Sequence, residues 1–130
     1  MRAVSVLNAG GLVGLPTETV YGLAARADLD SAVSKIFVAK GRPTGHPLIL
    51  HICDVSELKR YAIDVPSSAE ALAEQCWPGP LTLLLHKSAE VSKLVTGGRE
   101  IVAIRIPAND ITRSIIDQCG HGVAAPSANV

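Results

Sequence analysis

Short runs of consecutive apolar residues alternate along this chain with stretches whose apolar positions recur at helical spacing. Residues 12–15 and 20–24 read as two strands on either side of a Pro-Thr-Glu-Thr turn, at hairpin spacing. From Ser31 to Lys40 the positions Ala32, Val33, Ile36 and Phe37 mark a helix. Asp30 or Ser31 can cap it, and Gly41 with Pro43 ends it. Residues 47–52 form a strand-like run, and Asp54 with Glu57 three positions later opens a short helix. Ser67 and Glu70 repeat that capping spacing ahead of a helix with Ala69, Leu72, Ala73 and Cys76 on its apolar face. Pro78-Gly79-Pro80 stops it. Residues 81–85 and 101–106 are continuous apolar runs, expected of strands covered on both faces. Asn109 or Asp110 then opens a helix with Ile111, Ile115, Ile116 and Cys119 on one side, closed by Gly120, and residues 123–125 make a last strand. Interleaved strands and helices predict a layered α/β domain around one twisted, mixed sheet that the first hairpin makes partly antiparallel.

Composition narrows this picture. At 130 residues, with 48% hydrophobic and 18% charged positions, the chain suits one globular domain spanning 1–130. Aromatics are only 3% and twelve basic residues balance twelve acidic ones, which argues against a stacking platform or a basic cradle for nucleic acid. Any anion site must be local. The three cysteines form no C-x-x-C pair, so neither a zinc knuckle nor a disulfide framework is indicated, and reduced thiols are expected. The first fifteen residues make a poor signal peptide, and no run approaches a membrane span. A cytoplasmic protein without a membrane partner is the expectation.

The clearest electrostatic feature lies between Ser31 and Cys53, where Lys35, Lys40, Arg42, His46 and His51 occur without a single Asp or Glu. Lys40 and Arg42 straddle a forced turn and can converge on one anion such as a triphosphate. The same pattern also fits a cationic helix end with solvated tips. Thr17, Glu18 and Thr19 can hold a polar ligand or simply build a turn. Pro126-Ser127-Ala128-Asn129 ends a strand, where ligands gather in open α/β sheets, or is an ordinary turn. There is no G-x-x-x-x-G-K-[ST], no G-x-G-x-x-G and no G-x-S-x-G, which removes the common nucleotide cradles and the hydrolase elbow. The four histidines show no helical pair spacing for zinc. His86 and His121 read as surface or structural residues, while His46 and His51 remain open as ligand contacts.

Taken in order, Pro16-Thr17-Glu18-Thr19-Val20-Tyr21-Gly22-Leu23, Lys40-x-Arg42-Pro43, Pro47-Leu48 with His51, Pro78-Gly79-Pro80-Leu81-Thr82, Arg105-x-Pro107 and Ser127-Ala128-Asn129 resemble the YrdC-like threonylcarbamoyl-AMP synthases. The resemblance implies a twisted mixed sheet with helices on both faces and a concave, positively charged cavity. It implies that Thr19, His51 and Arg105, with backbone around Ala125, contact threonine. Lys40, Arg42, His46, Ser127 and Asn129 would face ATP, with Lys40 and Arg42 as the catalytic pair and no metal ligand from the protein. ATP, L-threonine and bicarbonate would be the substrates, Mg²⁺ would accompany ATP, and a separate transferase would pass the group to tRNA. Ala24 departs from the family's usual glycine, and family members continue beyond the Ser-Ala-Asn motif, so the domain is expected to be incomplete at its C-terminus. Rival readings are a non-catalytic RNA-binding module of the same fold and a carbamoyl-transfer domain of hydrogenase-maturation type.

Overall fold

In a computed structural model, the described residues are 2–16, 21–41, 47–79 and 81–126. They form α1 (Arg2–Asn8), β1 (Val13–Pro16), β2 (Tyr21–Arg26), α2 (Asp30–Lys40), β3 (Ile49–His51), α3 (Leu58–Tyr61), β4 (Ala62–Ile63), α4 (Ser67–Cys76), β5 (Leu83–Lys87), β6 (Ile101–Arg105), α5 (Asp110–Cys119) and β7 (Val123–Ala125). The strands make one mixed sheet in the order β1-β2-β7-β3-β6-β5-β4. Only β3 and β6 run parallel; every other neighbouring pair is antiparallel, including the β1–β2 hairpin expected from spacing.

Alternation along the strands separates two cores. Ala25, Leu50, Ala124, Ile104, Val102 and Leu85 face one side, where α2, α3 and α4 cover them with Val33, Ile36, Leu58, Tyr61 and Ala73. Ala24, Val123 and Ala125 face the other side, under Leu7 of α1 and Ile115 and Ile116 of α5. The second layer stops there. Across β6, β5 and β4 the same face carries Ile101, Leu84 and Ile63, which are 38%, 69% and 50% exposed. The expected two-sided cover of the runs at 81–85 and 101–106 is therefore corrected. The runs are continuous in hydrophobicity, yet every second side chain of β5 and β6 is open to solvent or only half buried.

Local chemistry explains most helix ends. Asn109 accepts hydrogen bonds from the N–H groups of Ile111 and Thr112, a side-chain N-cap. Gly120 then closes α5 in the left-handed region at φ 79°, and Gly41 does the same for α2 at φ 64°. Some other caps differ from expectation. The first helical residue Asp30 is engaged by the Ser92 hydroxyl and does not cap α2. Asp54 does occupy the cap position expected of it, with its carboxylate accepting from the Ser56 hydroxyl, whereas Glu70 pairs with Lys59 at 2.9 Å and Pro66 occupies the cap position of α4. Leu72, Cys76 and Ile111, assigned to apolar faces by spacing, are exposed. Among the described residues no helix is long and apolar enough to cross a membrane.

Gly122 shows how tightly the centre is drawn together. A Cβ there would lie 2.9 Å from Leu50 Cδ1 and 3.2 Å from the His51 carbonyl oxygen. Its N–H donates to the Tyr61 hydroxyl at 2.8 Å. Replacing the Asn109 cap removes two helix-end hydrogen bonds without touching either core. Asn109→Ala is expected to lower stability by about 1 kcal/mol, read as a shifted urea midpoint at unchanged slope. An unchanged midpoint would show that the cap contributes nothing.

Candidate functional site

The sheet register brings two of the expected ligand residues side by side. His51 on β3 is the direct partner of Arg105 on parallel β6, and both point to the face that α5 leaves uncovered beyond β7. Ile49 lies opposite Ala103 on one side and Ala125 on the other. Ala125 is thus one same-face step from His51, and three of the four expected threonine residues share one face. The pairing continues past the strand, with Ile52 N–H donating to the Arg105 carbonyl at 3.0 Å.

His51 is 4% exposed, and its Nδ1 lies 3.2 Å from the Ile49 carbonyl oxygen. A carbonyl only accepts, so in a hydrogen bond between them Nδ1 is the donor. Arg105 is half buried, and three contacts around it fix the end of β6. Gly79 N–H donates to the Ile106 carbonyl at 2.9 Å, which docks the Pro-Gly turn against the strand end. Trp77 closes that turn by donating its indole N–H to the Leu81 carbonyl at 2.7 Å. Arg113 donates to the carbonyls of Pro107 and Ala108 at 2.8 and 2.6 Å and pairs with Asp110. Two motifs separated by some twenty-five residues in the sequence are thereby joined.

The other expectations divide. Lys40 is exposed at the last turn of α2, whose buried side packs on the sheet face opposite His51 and Arg105. Lys35, part of the same cationic stretch, donates to the Gly10 carbonyl at 2.9 Å and is committed to holding α2 on the chain before β1. Thr19, Arg42, His46, Ser127 and Asn129 lie outside the described residues. β7 runs antiparallel to β3, so its end lies beside the start of β3 and away from the ends bearing His51 and Arg105. What the sequence reading missed is the aliphatic row Leu84, Ala103 and Ile49, which lines the same open face one step from the polar pair. No sequence signal marked it, because both runs are continuously apolar and only their burial alternates.

A second polar cluster sits at the opposite edge of β7. Arg26 grips Asp28 through Nε at 3.0 Å and Nη2 at 2.7 Å, and reaches Asn8 of α1 at 2.9 Å. His121 is buried, with Nε2 3.3 Å from Glu90 and Nδ1 3.0 Å from the Gly122 carbonyl oxygen. Burial pushes the Asp28 carboxyl up, but the Arg26 hydrogen bonds and the nearby His121 outweigh it and leave it below the ordinary aspartate value. Every member of this cluster is spent on its neighbours, and it ties α1, β2, β7 and the 88–100 loop together.

Comparison with known proteins places the chain in a family. Residues 5–130 match the profile of the family Sua5/YciO/YrdC, described as "Telomere recombination". The chain belongs to that family. It is 48% identical, over 98% of its length, to a threonylcarbamoyl-AMP synthase of Pyrococcus abyssi, and 45% identical over 99% to one of Bacillus subtilis. The crystal structure of P. abyssi Sua5 complexed with L-threonine superimposes with a TM-score of 0.93 over 98% of this chain. The chain spans 38% of the length of both synthases and of that structure.

The Asp28 clamp generates a signed expectation. A carboxyl held low in the folded state adds stability that is complete above the ordinary aspartate range, near pH 4, and fades as pH falls through the lower folded value. Asp28→Asn is expected to cost about 1 kcal/mol at pH 6–7, and the gap to the parent should close in strong acid. Equal stability of the two proteins at pH 6 would show that the clamp is idle.

Proposed function

We infer that this chain provides the threonine- and ATP-binding domain of a threonylcarbamoyl-AMP synthase: threonine, bicarbonate and ATP give threonylcarbamoyl-AMP and pyrophosphate, for threonylcarbamoyladenosine modification of tRNA. The observation that carries this reading is the pairing of Arg105 with His51 on an open sheet face, in a chain so similar to a protein crystallised with L-threonine. Arg105 presents a planar, always charged fork suited to an amino-acid carboxylate. His51 presents an imidazole beside it, and Ala125 brings backbone to the same face. Thr19 adds a hydroxyl from the turn after β1.

Threonine's amine takes up carbon dioxide from bicarbonate to form a carbamate. A carbamate oxygen then attacks the α-phosphorus of ATP, an O–P bond forms, and the bond to the β-phosphate breaks with its electron pair leaving on pyrophosphate. The nucleophile belongs to the substrate. The protein's work is to hold the reactants in line and offset negative charge as it gathers on the phosphates. Lys40 and Arg42 are assigned that second task, with His46, Ser127 and Asn129 as polar contacts to the nucleotide. Mg²⁺ enters as part of MgATP, bound through phosphate oxygens and water. The product is an activated mixed anhydride, so a separate tRNA-modifying transferase would consume it in the cytoplasm. Against the RNA-binding alternative stand zero net charge and 3% aromatics.

The test is pyrophosphate release from ATP by this chain with threonine and bicarbonate each supplied or withheld. Release requiring both is expected. Lys40→Ala should reduce it at least a hundredfold with the fold intact by circular dichroism, and Arg105→Ala should raise the threonine KM at least tenfold while leaving the ATP KM near that of the parent. Release independent of threonine, or full turnover by Lys40→Ala, would overturn the assignment.

A further inference from the structure

The row beside the polar pair has a shape the reaction above does not require. On the open face Ala103 lies directly between Leu84 of β5 and Ile49 of β3. Directly opposed side chains on one face stand roughly 5 Å apart at Cβ, so a single methyl between two branched four-carbon side chains leaves a dip between two ridges. The neighbouring row, two residues along β6 and β3, is Arg105 and His51, a step of about 7 Å. The Ala103 row is thus within one amino-acid length of the Arg105 row on the same face. The dip is accessible, since Ala103 and Ile49 are half buried and Leu84 is 69% exposed. All three walls are aliphatic and offer no hydrogen-bonding group. A hydroxyl gains nothing there, whereas a methyl group loses water-exposed surface on three sides.

We propose that Ala103, with Leu84 and Ile49 as its flanks, receives the side-chain methyl of the amino-acid substrate and sets the preference for threonine over serine. The proposal rests on the threonine reading of the site. It adds that selectivity comes from an aliphatic dip in the sheet and is separable from the Arg105–His51 grip. Buried apolar surface discriminates a single carbon only moderately, roughly tenfold upward, so serine is a weak competitor and not an excluded one. The size of residue 103 decides which side chains fit. A larger residue fills the dip, which threonine feels and serine, lacking the methyl, does not.

The experiment is calorimetric titration of this chain with L-threonine, L-serine and, separately, ATP. The parent should bind threonine about tenfold or more tighter than serine. In Ala103→Val, threonine affinity should fall about tenfold while serine affinity changes less than threefold and ATP affinity is unaltered, so the preference collapses. Leu84→Ala, at an exposed position where the fold does not depend on the side chain, should also shrink the preference and covers the case in which Ala103→Val fails to fold. A threonine-to-serine ratio unchanged from the parent in Leu84→Ala and in a folded Ala103→Val overturns the proposal and leaves the function above intact. A parent chain that binds neither amino acid overturns the threonine reading and this proposal with it.

Discussion

The position of β3, paired in parallel with β6 and antiparallel with β7, is the constraint on which the rest of the molecule depends. Three residues do two jobs because strand side chains alternate. Leu50 meets Ile104 and Ala124 in the main core, while Ile49 and His51 meet Ala103 and Arg105 on the other face. A slip of one residue would put Leu50 in the open and drive His51 and Arg105 into apolar surroundings, which costs far more than any single contact gains. Gly122 is part of the same constraint, because a side chain there would collide with the β3 backbone at His51. The apolar core thus enforces the register that aligns the polar pair.

Unequal cover of the two faces turns that alignment into a site. α2, α3 and α4 seal one face along its length, whereas α1 and α5 roof only the β1–β2–β7 part of the other. His51 and Arg105 stand at the margin between roof and open sheet. One is nearly dry and the other half buried, so packing pre-orients their hydrogen-bonding groups. Exposed Leu84, Ile101 and Ile63 are the cost of leaving that margin open.

Most of the architecture was legible from punctuation. Asn109 and Gly120 bracket α5 and Gly41 ends α2, since each acts through its own local geometry, and β1 pairs with β2 as the hairpin spacing predicted. Misreadings arose where distant partners decide. Asp30 and Glu70 had capping spacing, but Ser92 and Lys59 engage their side chains. Residues 81–85 and 101–106 looked covered on both sides because hydrophobicity alone cannot say where a helical layer stops. For the site, the order of motifs along the chain pointed to His51 and Arg105, but only strand order makes them neighbours, and Ala103 carries no chemical signal until its flanks are known.

The chemistry available on this scaffold is positional. Burial, with Asp117 and Glu57 nearby, pushes the Cys53 thiol above its ordinary value, and burial does the same to Cys119. Both are protonated at neutral pH and poor nucleophiles. The Tyr61 hydroxyl is pushed up to about 12 by burial and accepts the Gly122 N–H, so it is structural as well. His121 is committed to Glu90 and the Gly122 carbonyl. The groups built to be inert lie in the cores or under the roof, and among the described residues the open face aligns Arg105, His51, His86 and an aliphatic row. The described groups on this face act by position, which is what the inferred reaction, with a nucleophile made from the substrate, asks of its protein.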